Sequence, residues 1–252
     1  MCLILFSYKT HPDYKLILAA NRDEFYERPT RPAHFRDDRP DILAGEDIQA
    51  NGTWMGITKA GRFAALTNYR APADMVHNRH SRGLLVYDFL KSDISPASYL
   101  SLFNETTTQY NGYNLIAGDI DTLYYYSNKT ESCQKLDAGI YGLSNALLDT
   151  SWPKVDIGKQ KLTEITSEHF TTEDLFTILR NDKRAPDDKL PSTGVSLEFE
   201  QLLSPMYIES EQYGTRSSTV ITIDYDNRVN FTERTYHKNN EPSDVVYEFE
   251  IS

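Results

Sequence analysis

Short apolar runs joined by turn-length polar segments recur along the chain, and they restrict it to sheets built from hairpins. "CLILFSY" and "KLILAAN" flank the turn-like "KTHPD", a pattern that predicts a β-hairpin. "TWMGITKAG" and "RFAALTNYR", joined at Lys59-Ala60-Gly61, give a second; "YNLIAGD" and "TLYYYSN", turning at Asp119–Asp121, give a third. "AGIYGLSNALL" reads as a strand entering a loop, and "SSTVITIDY", "RVNFTERTY" and "VVYEFEIS" as a closing antiparallel set with Asp226-Asn227 at its first turn. Runs such as "CLILF" and "KLILAA" are apolar at successive positions, so both of their faces need cover. Helical patterns gather in the middle of the chain. One covers 81–91, with Ser81 as cap and Leu84, Leu85 and Phe89 on one face; others cover 96–108, 154–168 and 172–181, the last starting at Thr172 with Asp174 and Leu175 behind it. The Pro-, Arg- and Asp-rich stretch from Glu27 to Ala50 predicts a long loop. About eight or nine strands follow from these patterns. Helices that do not alternate with strands specify an α+β fold, two antiparallel sheets packed on each other with helices outside, and argue against a parallel βαβ fold.

A length of 252 residues suits one large domain or two small ones, and without a linker or repeat the chain is read as a single domain over 1–252. The net charge of −11 argues against nucleic acid or an anionic membrane surface as partner. It does not forbid a local cationic pocket for an acidic ligand. No run approaches the ~20 apolar residues that span a bilayer, and no basic segment precedes residues 3–6 to make a secretion signal. A cytoplasmic protein with no integral membrane segment is expected. The two cysteines, Cys2 and Cys133, suggest neither a disulfide framework nor a zinc site. His77 and His80 are a weak metal signal without nearby ligands, so no cofactor or metal is expected.

Four features could carry chemistry. Removal of Met1 would leave Cys2 with a thiol and a free α-amine on one residue, a nucleophile beside its own base; a cysteine at a strand head is equally at home as packing. Asn21, Arg22, Asp23 and Glu24 end the second apolar run, with Asn21 and Asp23 on one face of an extended chain and Arg22 and Glu24 on the other. They could serve a site or simply solvate a strand end. Asn68 and Asn145 end apolar strands, where a carboxamide can stabilise an oxyanion or make a turn. Arg216 precedes a strong strand and could orient a carboxylate, activate a thiolate or form a surface ion pair.

Taken in order, "MCLILF", "LILAANRDEFYERPT", "NGTWMGI", "GRFAALTNYR", "NGYNLIA", "YGLSNALLDTSWPK" and "YGTRSSTVI…VNFTERTY" resemble the NRDE family, also called the transport-and-Golgi-organisation-2 family. The likeness runs from Met1 to about Tyr247. It implies a four-layer αββα sandwich like that of N-terminal-nucleophile hydrolases, whose cysteine-dependent members include choloylglycine hydrolases and penicillin V acylases. By that resemblance Cys2 is the nucleophile, Asp23 contacts the free amine, Asn68 and Asn145 hold the oxyanion, and Arg216 is the late active-site arginine; Asn21 and Arg22 are expected to contact substrate. Two positions depart from the pattern. Asn51 replaces a common glycine, and Ala20 stands where the enzymes carry arginine, with Arg22 as its candidate substitute on the opposite face from Asp23 unless the strand bends or bulges. The implied activity is an N-terminal cysteine hydrolase acting on a non-peptide amide or thioester of a small acyl-type metabolite. The alternative is non-enzymatic handling of haem or of a lipid or acyl metabolite, tied to Golgi organisation and secretion in eukaryotic relatives. Either role implies a small acyl-type or haem-like ligand, and aromatic strand edges would suit a homodimer.

Overall fold

The computed structural model describes residues 2–105, 107–238 and 240–252, apart from the side chains of Cys2, Asn104, Glu105 and Thr107. The first hairpin sets the frame: β1 (Cys2–Tyr8) pairs antiparallel with β2 (Tyr14–Phe25). In β1, Ile4, Phe6 and Tyr8 enter one apolar cluster, and Leu3 and Leu5 enter another on the reverse face. In β2 the same alternation divides Leu16, Leu18 and Ala20 from Ile17 and Ala19. A period of two with both phases apolar means a strand buried on both sides.

Eleven further strands follow: β3 (Thr30–Phe35), β4 (Ile42–Asp47), β5 (Met55–Thr58), β6 (Arg62–Asn68), β7 (Tyr113–Asp119), β8 (Thr122–Ser127), β9 (Ser132–Lys135), β10 (Gly139–Leu143), β11 (Tyr213–Asp224), β12 (Arg228–His237) and β13 (Asn240–Glu250). They form two sheets, one ordered β10-β1-β2-β11-β12-β13 and one running β3 to β9 in sequence order. The largest cluster lies between the sheets and draws Ile4, Phe6, Leu18, Met55, Phe63, Ile116 and Phe231 from both. Helices α1 (Gly83–Lys91) and α2 (Pro96–Ser101) cover the outer face of the second sheet, with Leu85, Phe89 and Leu100 against Ala64 and Leu115. Helices α3 (Pro153–Thr166) and α4 (Thr172–Leu179) cover the first, with Val155, Leu162, Leu175 and Phe176 against Leu3, Leu5 and Ile17. Gly158 permits that approach, because a Cβ there would stand 2.6 Å from the Leu5 side chain. The layers run αββα, and the fold is that of N-terminal-nucleophile hydrolases.

Several elements differ from the sequence expectation. Glu27 to Ala50 is not a long loop but carries the β3–β4 hairpin. Its charges pair locally: Arg28 with Asp47 at 2.7 Å, Arg36 with Glu46 at 3.0 Å, and Arg39 with Asp41 at 3.1 Å. Pro32 fits because β3 is an edge strand whose register shifts between Arg31 and His34. The described residues hold thirteen strands, more than the eight or nine expected, because β3, β4 and the short exposed β9 carry little apolar signal. Ser81 does not cap α1, which starts at Gly83 behind Arg82 without a side-chain cap. The helix expected over 96–108 ends at Ser101 and passes into 3-10 turns. A reciprocal Thr171–Asp174 capping box starts α4, and α5 (Leu197–Leu202) lies in a stretch without helical periodicity.

Candidate functional site

At one end of the sandwich β1 starts where β2 runs out, and backbone register sets the candidates around that point. Cys2 pairs with Arg22. On its other side β10 pairs Leu143 with Ile4 and ends there, and the chain bends at Ser144 and Asn145. The Cys2 side chain itself lies outside the described residues.

Asp23 is buried, and its Oδ1 accepts a hydrogen bond from Thr215 Oγ1 at 2.7 Å. Burial pushes its carboxyl pKa up, and the charges of Lys154 and Arg22 and the Thr215 hydroxyl oppose that rise. Lys154, buried near the start of α3, donates from Nζ to the Leu203 carbonyl at 3.0 Å.

Asn68 and Asn145 meet. Asn145 Nδ2 donates to the Asn68 carbonyl at 2.8 Å, and the Arg70 amide donates to the Asn145 carbonyl at 2.7 Å. Asn114 on β7 ties the same corner by donating to Ala146 O at 2.8 Å and to Thr67 Oγ1 at 3.0 Å. These bonds hold the end of β6, in one sheet, to the segment leaving β10, in the other. The Asn68 side chain borders a cavity of about 320 Å³ together with Arg22, Asp23, Glu24, Trp54 and Arg82.

Arg22 and Asp23 border that cavity together although their side chains start on opposite faces of β2. The partner strand β11 bulges at this step: Thr215 opposes Asp23, Ser217 opposes Arg22, and Arg216 is the extra residue. Arg22 is 7% exposed and stands over Trp54, its guanidinium carbon 4.1 Å from the ring centre. Among the described residues it has no hydrogen-bond or ion-pair partner.

Arg216 and Asn21 are placed differently from Asp23. Arg216 donates to the carbonyls of Phe25 (2.8 Å), Tyr26 (3.2 Å) and Arg28 (3.1 Å), so it clamps the β2–β3 connection. It borders a neighbouring cavity of about 230 Å³, shared with Arg22, Trp54 and Glu233, and not the one that holds Asp23 and Asn68. Asn21 points to the helical layer. Its amide donates to Leu179 O (2.9 Å) and Met206 O (2.8 Å) and accepts from Ser218 Oγ. Both of its N–H groups are thus spent on fastening the α4 end and the segment before β11, and it does not border the larger cavity.

Four features here were not singled out in the sequence. Trp54 supplies the face for Arg22. Arg70 and Glu200 form an ion pair at 2.7 Å with side chains 5% and 4% exposed, and Arg70 also stacks on Trp152. Lys154 sits in an ordinary helical pattern. Glu233 is buried in β12, accepts from the Ala33 amide at 2.7 Å and from Thr219 Oγ1 at 3.4 Å, and burial pushes its pKa up to about 7. Only Glu233 had a readable signal, for it shares the inward phase of Val229 and Phe231. A roomier groove of about 600 Å³ lies at the far end of the β1–β2 hairpin, by His11, Tyr14 and Phe170, and holds none of the candidates. Among the described residues no three His, Cys, Asp or Glu side chains are grouped to hold a metal ion, and no helix is long and apolar enough to cross a membrane.

The two-sheet sandwich is shared with solved N-terminal-nucleophile hydrolases. The Caenorhabditis elegans ortholog of N-acylethanolamine-hydrolyzing acid amidase superposes with a TM-score of 0.51 at 11% identity, covering 88% of this chain and 92% of that one. A mutant conjugated bile acid hydrolase from Clostridium perfringens superposes at 0.54 with 9% identity, covering 100% and 97%. The sequence narrows the class. Residues 1–238 match the family model Transport and Golgi organisation 2. The Transport and Golgi organization protein 2 homolog of Bos taurus is 39% identical over 93% of this chain and 92% of its own length, and that of Drosophila melanogaster is 30% identical over the same shares. The chain belongs to the transport and Golgi organisation 2 family.

Proposed function

We propose that the protein is an N-terminal cysteine hydrolase that cleaves a non-peptide amide or thioester of a small acyl-type metabolite. The observation that carries this reading is that Asp23, next to the Arg22 that pairs with Cys2, borders one cavity with half-buried Asn68, whose carbonyl accepts from buried Asn145. After removal of Met1, the Cys2 α-amine takes the thiol proton and the sulphur attacks the carbonyl carbon. The oxyanion forms beside Asn68 and the second Asn145 N–H, the one not given to the Asn68 carbonyl. Collapse of the adduct expels the amine or thiol, which leaves with the proton held by the α-amine. Water then hydrolyses the thioester and restores the free cysteine. Asp23 holds the α-ammonium group in place. The solved neighbours named above support the reading by fold alone.

Intact mass of the purified protein tests the first requirement, loss of Met1. Incubation with acyl amides and acyl thioesters should then give an acyl adduct on Cys2 and free acid in solution. Cys2→Ala should abolish both. Turnover by Cys2→Ala at the wild-type rate would remove the mechanism.

A further inference from the structure

The chain carries a net charge of −11, yet the cavity that holds Asp23 and Asn68 collects four arginines, Arg22, Arg28, Arg79 and Arg82. Its acids are Asp23, Glu24 and Asp47. Two of these are committed to one cation: Arg28 pairs with Asp47 at 2.7 Å and approaches Glu24 at 4.0 Å. Asp23 is shifted toward its neutral form by burial. Arg82 donates to the Gly112 carbonyl at 3.0 Å. Arg79 has no ion-pair or hydrogen-bond partner among the described residues, and neither has Arg22.

Arg22 is the decisive group. Its stacking on Trp54 satisfies none of the guanidinium N–H donors. Its nearest charges do not settle the account. Arg216 repels it, and burial together with Arg22 pulls the Arg216 pKa down. Glu233, which lines the neighbouring cavity with Arg22, is a buried carboxyl whose ionisation the Arg22 charge favours and burial resists more strongly. A guanidinium that lines a cavity with no ion-pair partner in the protein can receive an anion there through charge-assisted hydrogen bonds.

From this geometry we infer that the compound bound at the candidate site carries an anionic head group, a carboxylate or a phosphate, received by Arg22 with Arg79 at the rim. The inference rests on the hydrolase reading for the identity of the scissile bond, but the charge selection stands on Arg22 and its cavity. A neutral acyl amide would leave Arg22 unpaired and is the poorer ligand.

Binding is measured in the Cys2→Ala protein, so that chemistry cannot interfere, by Trp54 fluorescence in a Trp152→Phe background. N-octanoylglycine and N-octanoylethanolamine share the same amide and differ in terminal charge; N-octanoyl-O-phosphoethanolamine is the phosphate arm. At least one anionic probe should bind ten-fold or more tighter than the neutral one, with affinity falling as salt rises, and Arg22→Gln should erase the preference. Arg79→Gln, at a half-exposed position, should reduce it two- to five-fold without any folding defect. Equal affinity for charged and neutral probes, no binding by any of them, or an unchanged preference in Arg22→Gln overturns the inference. Anion-selective binding by a Cys2→Ala protein whose Cys2-containing parent hydrolyses none of the three probes removes the hydrolase reading for these amides and leaves the charge selection in place.

Discussion

Glu233→Gln should make the protein more stable in alkali while leaving it nearly unchanged in mild acid. Glu233 is buried at the edge of the cavity beside Arg22, and burial raises its pKa from an ordinary 4.5 to about 7. The folded chain therefore keeps a proton that the unfolded chain releases between those two values. The stability conferred by that proton is complete below pH 4.5 and is lost as pH rises through 7. At 1.36 kcal/mol per pKa unit, a rise of this size is worth about 3 kcal/mol. Glutamine is isosteric and neutral at every pH, and its carbonyl can still accept from the Ala33 amide.

Urea unfolding of wild type and variant at half-unit steps from pH 5 to 8 gives the comparison. The two curves should lie together near pH 5 and separate to about 3 kcal/mol at pH 8, equivalent to roughly 6–12 °C in Tm for a chain of this size. Asp23 is raised in the same direction, while Asp38, Asp41 and Asp174 are lowered by hydrogen bonds and contribute with opposite sign. All four are present in both proteins and cancel in the difference. Parallel curves, or a variant that loses stability at pH 8, would refute the reasoning that Glu233 resists ionisation in the folded chain.

The Arg70–Glu200 pair predicts a larger loss: Glu200→Gln keeps an acceptor for Thr193 but leaves Arg70 charged and buried, so unfolding free energy should fall by about 3–5 kcal/mol, and Arg70→Met with Glu200→Met should recover most of it. Thermal melts of the two variants check this, against an Arg228→Ala control that should cost under ~1 kcal/mol because its pairs are exposed. Asn21→Ala should cost about 1–3 kcal/mol by stripping a donor from the buried Leu179 and Met206 carbonyls, while the affinity of Cys2→Ala protein for N-octanoylglycine stays within two-fold; a large affinity loss would return Asn21 to the binding surface.

The hairpins were legible because their runs are local: "CLILFSY" and "KLILAAN" carry their own register and turn, and the structure pairs them residue for residue. The β3–β4 hairpin was not, because its strands hold together an arginine- and aspartate-rich ladder whose partners, such as Arg36 with Glu46, are visible only once the strands are laid side by side. The same limit applied at the site. Asp23 and Asn68 stand out as polar residues ending apolar strands, whereas Arg70 finds Glu200 130 positions away and Lys154 finds its carbonyl 49 positions away. Nothing local marks such pairs. Asn21 carries the opposite lesson. Alternation placed it on the same side of β2 as Asp23, but that side faces the helical layer, and a short carboxamide there is spent on carbonyls before any ligand could use it.

Strand parity also bears on the departure at Ala20. Positions 20 and 22 share a face of β2, and Ala20 belongs to the central core along with Ile4, Met55 and Ile57. Arg22 therefore stands on the strand face to which the family resemblance assigns the missing cation, ~6.8 Å further along. A guanidinium at position 20 would start among apolar side chains; at 22 it lies on Trp54, at the wall common to both cavities and opposite the β11 bulge. Arg22 rests on Trp54 and, among the described residues, forms no ion pair. A guanidinium over an aromatic face keeps its N–H donors available, and Arg22 borders both cavities.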